Sequence, residues 1–390
     1  MKRPFLYFAI IFWLIYLSAI ASTLALGPDT SKIQWNQEEV STYALHTSFA
    51  GQTVLYMAYA DHHIKNPRHW TNDVRKKYIY EVDVVLTKYP KNKNKWLTHY
   101  DSLMKDRVLE LYKLIPELEQ NRQVRWKIVL QTDCDTEADA KEMFHGVVVK
   151  YKLHLTSRLK RTLNNMRNIV NGKESFEDSV VYRVFDRHPA WQNMLVVNDW
   201  TGSMYQYGAQ AVLWHRLNLI KRRDQVAIDN FIFFNDGNML PDDEKQIGNT
   251  GGIYQSKGES IKKLAHTMRE VMLSGFGGDK PENDVEAILY GLQHAANFRE
   301  LVLIADNRSA VRDMELLEQV NVPIKIILCG TDKEKPIHPD YLKMAQLTNG
   351  SIHTIAKDIM NLADKKEGDT IEVLGVTYIL ADGQFRPISQ

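Results

Sequence analysis

Met194-Leu195-Val196-Val197-Asn198-Asp199-Trp200-Thr201-Gly202-Ser203-Met204 opens on an unbroken apolar run and closes on one acid and two hydroxyls at alternate positions. A short continuous apolar run is the pattern of a strand buried on both faces, which is how parallel sheets read. Working outward, residues 205–220 predict a helix and 227–234 a second buried strand. A polar loop over 235–252, punctuated by Pro241, Gly248 and Gly251, follows. Helices are predicted near 260–272 and 284–296, and further buried strands at 301–305 and 322–328. Residues 341–347 read as helix, 351–355 as a short strand and 357–362 as a last helical turn. Strands alternating with helices imply an α/β fold, a doubly wound, mostly parallel sheet over residues 191–363. Ligands of such sheets gather at the carboxyl ends of the strands. That rule brings together the loops after Val197, near Gly275 and after Ala305.

Upstream, residues 31–190 predict a mainly helical domain. Helical spacing is read over 42–64, 73–86 and 95–118, the last through Leu103, Val108, Leu111, Leu114 and Ile115. One strand is predicted at 124–130, then a long helix over 136–169 begun by Asp135-Thr136-Glu137 and broken at Asn171-Gly172-Lys173. Residues 364–390 predict an appended β-hairpin, with its turn at Asp382-Gly383.

The 390-residue chain exceeds what one core usually serves, which favours two domains. Its formal net charge of +1 supplies no field for nucleic acid or an anionic surface. Two cysteines, Cys134 and Cys329, are too few for a disulfide scaffold, and Cys329 ends an apolar run as a buried strand thiol would. Lys2 and Arg3 precede the apolar stretch 5–17 and Ala19-Ile20-Ala21, the order of a secretory signal over residues 1–21. Cleavage is expected after Ala21 or Ala25, and the alternative is an uncleaved membrane anchor. The chain is therefore expected to be exported, periplasmic or extracellular, and to meet a membrane only through an uncleaved N-terminus.

Asp199-Trp200-Thr201-Gly202-Ser203-Met204 follows the first buried strand, and Asp306 follows the strand at 301–305. Between them lies Gly277-Gly278-Asp279-Lys280-Pro281-Glu282-Asn283-Asp284. In this order and on these elements, the second half of the chain resembles a von Willebrand factor type A domain carrying a metal-ion-dependent adhesion site. It is similar to exported bacterial members of that family. The resemblance implies a site for Mg2+ (or Ca2+ or Mn2+), with hydroxyl oxygens from Thr201 and Ser203 and charge from Asp199 and Asp306. It further implies a protein partner whose acidic side chain completes the metal shell. Hard divalent cations do take such oxygen-rich shells. One departure stands out. Adhesion members place a metal-binding threonine in the second loop, whereas no hydroxyl lies between Gly275 and Asp284 here. Asp279, Glu282 and Asp284 are the substitutes, and an added carboxylate weakens attraction for an acidic partner.

Simpler readings accompany each residue. Asp199, Ser203 and Asp306 are also ordinary helix N-caps. Trp200 can pack on the domain or meet a partner. Asp61-His62-His63 with His69 and Phe144-His145-Gly146 read as surface features, because adjacent histidines do not share a helix face. Asn249-Thr250-Gly251-Gly252 can cradle an anion but reads better as a hairpin-like turn. The alternative function is a metal-dependent phosphoryl-transfer hydrolase using Asp199. It lacks the second aspartate two residues on, where Thr201 stands.

Overall fold

The computed structural model describes residues 30–45, 51–70, 77–89, 93–221, 226–238, 240–275, 280–295, 297–331 and 336–388. The expected signal over residues 1–21 and the candidate ligand Asp279 lie outside the described residues. The described chain is α/β with mixed sheets and falls into two compact units that meet in sequence at His154 and Leu155.

The first unit is built on a sheet, not on helices. Its strands are β1 (Trp35–Val40), β2 (Gln52–Tyr56), β3 (Lys77–Thr87), β4 (Arg125–Gln131) and β5 (Gly146–Leu153). They lie in the order β1-β4-β3-β5-β2; β1, β4 and β3 are parallel, while β5 runs antiparallel to both β3 and β2. The expectation of a mainly helical 31–190 is thus overturned over 42–64, 73–86 and the middle of 136–169. The physical reason lies in β3 and β5. Val82, Val84 and Leu86 of β3 and Val147 and Val149 of β5 face one core, while Val85 and Val148 are buried on the other face. With both faces buried, the alternation that marks a strand disappears, and only β-branched enrichment remains to identify it. The helix Lys93–Leu114 is the crossover between parallel β3 and β4 and covers the core with Val108 and Leu111.

From that helix Arg107 enters the interior with no exposed surface. Its guanidinium donates to three main-chain carbonyls, Nε to Asp61 (2.9 Å), Nη1 to Val85 (2.7 Å) and Nη2 to Ala58 (3.2 Å). Burial lowers its pKa to about 10. The Asp61-His62-His63 cluster is a local turn: the Asp61 carboxylate accepts from the backbone N–H of His62 (2.7 Å) and of His63 (3.2 Å).

The second unit carries the strands read from sequence. They are β6 (Met194–Asp199), β7 (Ile228–Phe234), β8 (Ile253–Lys257), β9 (Glu300–Asp306), β10 (Ile324–Cys329), β11 (Ser351–His353) and β12 (Asp358–Ile359). Their order is β12-β11-β10-β9-β6-β7-β8, with β11, β10, β9, β6 and β7 parallel and the short edge strands β8 and β12 antiparallel. Strand β12 replaces part of the helical turn expected over 357–362, because Ile359 and Asp358 pair with Ile352 and His353. Met194 and Val196 pack into one core with Val212, Trp214 and Met268; Leu195 and Val197 pack into the other with Val285, Ile288 and Leu342. Two cores on opposite sides of one strand explain why Met194 to Val197 of β6 are all apolar.

Helices Ser157–Val170 and Val180–Arg187 belong to this second unit, where Leu159, Met166, Val181 and Phe185 join the first of these cores. The tail forms three antiparallel strands rather than a hairpin: β13 (Thr370–Val373), β14 (Val376–Ala381) and β15 (Gln384–Pro387). It is more than an appendix, since Val373, Tyr378, Leu380 and Phe385 are buried in the second core. Both cysteines are buried, and neither is in a disulfide. Among the described residues no helix is long and apolar enough to cross a membrane.

Candidate metal centre

Strand β6 has β7 on one side and β9 on the other, so successive connections leave it in opposite directions. The carboxyl ends of β6, β7 and β9 therefore meet around a crevice, the position where open α/β sheets bind ligands. Asp199 ends β6 and Asp306 ends β9. Each carboxylate accepts the backbone N–H two residues on, Asp199 Oδ1 from Thr201 (2.8 Å) and Asp306 Oδ1 from Arg308 (3.0 Å). Such local turns are what these residues also do without a ligand. Their second oxygens differ. Asp306 Oδ2 accepts from the Ser203 hydroxyl at 3.0 Å, whereas Asp199 Oδ2 is buried with no partner.

Glu282 and Asp284 come to the same crevice. The Glu282 backbone is fixed between Ala310 and Arg312, donating to the carbonyl of Ala310 (2.9 Å) and accepting from Arg312 (2.7 Å). Asp284 begins the helix Asp284–His294, whose first turn is capped by Asp313 accepting from Val285 (3.1 Å) and Glu286 (2.6 Å). With Asp313 as the cap, Asp284 is free of that task. Its side chain has no exposed surface, and its Oδ1 has no partner.

Asp236 was not singled out from sequence. It follows β7 at φ 54°, flanked by Gly237 at 83° and Asn238 at 54°, so three successive residues hold the left-handed region. That conformation is costly for residues other than glycine and recurs at functional sites. Asn235 bridges the bend, accepting from the Asn238 N–H (3.0 Å) and donating to the Val271 carbonyl (3.2 Å). Asp236 accepts from the Asn283 N–H at 3.1 Å, and its Oδ2 is another buried oxygen without a partner. The available signal was topological. Asp236 follows the strand beside β6, and the carboxyl-end rule applies to that loop as to the others.

The electrostatics follow from this crowding. Burial, then Asp236 and, more weakly, Asp306 raise the Asp199 pKa to about 8. Burial and the charges of Asp199, Asp236 and Asp284 push Glu282 up to about 12, and burial also raises Asp236. Asp284 is raised well above the usual carboxylate range by burial, Asp199 and Asp313. Asp199, Glu282 and Asp284 are thus raised by burial and by neighbouring acids, whereas Asp236 is raised by burial alone and is lowered by Glu282, by the Asn283 N–H and by the charges of Lys245 and Arg312. Leaving buried acceptors unsatisfied costs about 1–3 kcal/mol each. Asp199 Oδ2, Asp236 Oδ2, Glu282 Oε2 and Asp284 Oδ1 all share that condition. A divalent cation would relieve the orphaned oxygens and the repulsion among Asp199, Glu282 and Asp284, so the donor set fits a hard ion. Among the described residues, no three of these acids bring oxygens within 4.8 Å of one another. Direct coordination would therefore combine Asp199 with hydroxyls of Thr201 and Ser203 and with water, and the other acids would act through water or as nearby charge.

Trp200 is buried rather than partner-facing. Its Nε1 donates to the Met268 carbonyl at 3.1 Å, and its ring meets Phe233 edge-on at 4.9 Å. Gly208 makes room for it: a Cβ there would stand 2.3 Å from the indole. Gly208→Ala is expected to cost about 1–3 kcal/mol through overpacking. Because Trp200 lies between Asp199 and Thr201, metal affinity should weaken in the same variant; urea unfolding and metal titration measure both.

The Asn249–Gly252 stretch does cradle an anion, and the anion belongs to the protein. Glu286 Oε1 accepts from the N–H groups of Thr250 (2.8 Å) and Gly251 (3.1 Å). The same segment completes the antiparallel connection from β7 to β8, as a hairpin-like turn would. Asp199 itself is 1% exposed. In comparisons with known proteins, the chain matches no family model, no curated protein and no solved structure.

Proposed function

We propose that this is an exported protein that binds a partner through a divalent-metal site, in the manner of von Willebrand factor type A domains. The reading takes the second unit as a doubly wound sheet of that kind and Mg2+ (or Ca2+ or Mn2+) as the ion. One observation carries it: buried, unpartnered carboxylate oxygens from separate loops gather at the carboxyl edge of β6, β7 and β9. Ser203 and Gly202 are exposed beside them, so one side of the crevice opens to a partner. Export rests on the N-terminal order of charged, apolar and small residues. Protein is the partner class the resemblance favours. The surplus of acid makes the ion itself the firmer part of the reading and a partner carboxylate the weaker, because several carboxylates already balance its charge.

Mn2+ titration followed by electron paramagnetic resonance tests the site. One bound ion per chain is expected, displaced by Mg2+ and lost in Asp199→Ala. Capture of a partner from envelope extract should then occur with Mg2+, reverse on chelation and fail with Asp199→Ala. Retention of the ion by Asp199→Ala would defeat the proposed site; capture insensitive to chelator would defeat the proposed mode of binding.

A further inference from the structure

A second set of metal-ligating side chains stands on the other edge of the same sheet. His188 ends the helix Val180–Arg187, and His353 and Asp358 pair side by side across β11 and β12. One ligand atom from each of the three lies within 4.8 Å of the others. Their orientations are fixed by neighbours. The Trp191 ring stacks on His188 at 4.2 Å and 6°, and His353 stands edge-on to both rings. Ser351 Oγ lies 2.8 Å from His353 Nε2, which leaves Nδ1 facing Asp358. Arg187 holds Asp358 Oδ1, so Oδ2 is the oxygen left for a further partner. His188 Nε2 is buried and lies 3.0 Å from that Oδ2.

We infer that His188 Nε2, His353 Nδ1 and Asp358 Oδ2 form a binding site for Zn2+, separate from the acidic crevice and closed by water. Two imidazoles and a carboxylate with one open position are a common zinc donor set. A metal-bound histidine usually gives its other N–H to a polar neighbour, the part Ser351 plays for His353. The carboxylate is likewise held from behind by Arg187. The site also lies at a helix C-terminus, where the backbone dipole favours a cation. The Ser351-His353-Asp358 chain resembles a hydrolytic triad, but Ser351 is only 4% exposed, which leaves no room for a substrate.

The test uses the full chain carrying Asp199→Ala, which removes the other candidate site. Co2+ as a spectroscopic probe should give one equivalent of intense visible absorption, abolished by stoichiometric Zn2+. His188→Phe keeps the ring stacked on Trp191 and removes one ligand; it should weaken Zn2+ binding at least about 100-fold, since outer-shell losses alone cost 10–100-fold. Its circular dichroism should be unchanged. His63→Ala, within the exposed Asp61-His62-His63 group, should leave binding intact. The proposal is overturned by absence of the Co2+ bands, by unchanged Zn2+ affinity in a folded His188→Phe, or by loss of binding in His63→Ala.

Discussion

With metal removed, the second unit is expected to lose stability as pH rises from about 4 to about 8, and Mg2+ should offset part of that loss. The sign follows from the raised pKa values of Asp199, Asp236, Glu282 and Asp284. Below the unfolded carboxyl values of 3.8 and 4.5, both states are protonated and stability is complete. Above them the unfolded chain ionises freely while the fold retains its protons. Each retained proton then costs about 1.4 kcal/mol per pH unit, up to the folded value, about 8 for Asp199. Paired surface carboxylates give the opposite slope, so the direction is diagnostic. An ion supplied at a hundred times its Kd adds about 2.7 kcal/mol. For a unit of this size that raises Tm by about 5–10 °C. Asp284→Asn should stabilise the metal-free chain at pH 8 and shrink the Mg2+ effect. Thermal melts at pH 5 and 8, with chelator and with Mg2+, decide the matter. Stability that is flat or rising between those pH values in chelator would refute the account of the cluster.

Arg107→Ala should unfold the first unit or leave it barely folded. The substitution strands three main-chain carbonyls, that of Val85 buried and those of Ala58 and Asp61 part-buried, and empties the fully buried volume of the Arg107 side chain. At about 1–3 kcal/mol for a buried orphaned group, with the cavity added, the loss is a large share of the stability of a domain. Arg107→Lys should recover only part of it, since one ammonium cannot reproduce the planar fork. Hydrogen exchange resolved to β3 and β4 is the measurement: protection there should vanish in Arg107→Ala and persist, weakened, in Arg107→Lys. Full protection in Arg107→Ala would mean that water or a rearranged side chain satisfies those carbonyls.

The two units were unequally legible in the sequence. In the second, short apolar runs such as Met194–Val197 stand between helices, and the alternation itself indicates a sheet with parallel strands. In the first, β3 and β5 are buried on both faces and were read as parts of helices; Gly146-Val147-Val148-Val149 was the clearest missed sign. Packing of Ser157–Val170 on the second unit could not be read from its helical pattern, because an apolar stripe does not name its partner. For the candidate site, Asp199, Glu282, Asp284 and Asp306 were found through motif order. Asp236 was missed because its loop has no motif, only a place beside β6. Burial of Trp200 depended on Gly208, one turn into the next helix, a contact that spacing alone does not reveal.

Glu286 ties the Thr250–Gly251 loop to the helix that begins at Asp284, and Asn283 ties that helix to Asp236. Three hydrogen bonds thus link the ends of these segments across the crevice. On the proposed reading, a bound ion would alter the local charge with little change of shape, and a partner would sense the loaded protein through its electric field.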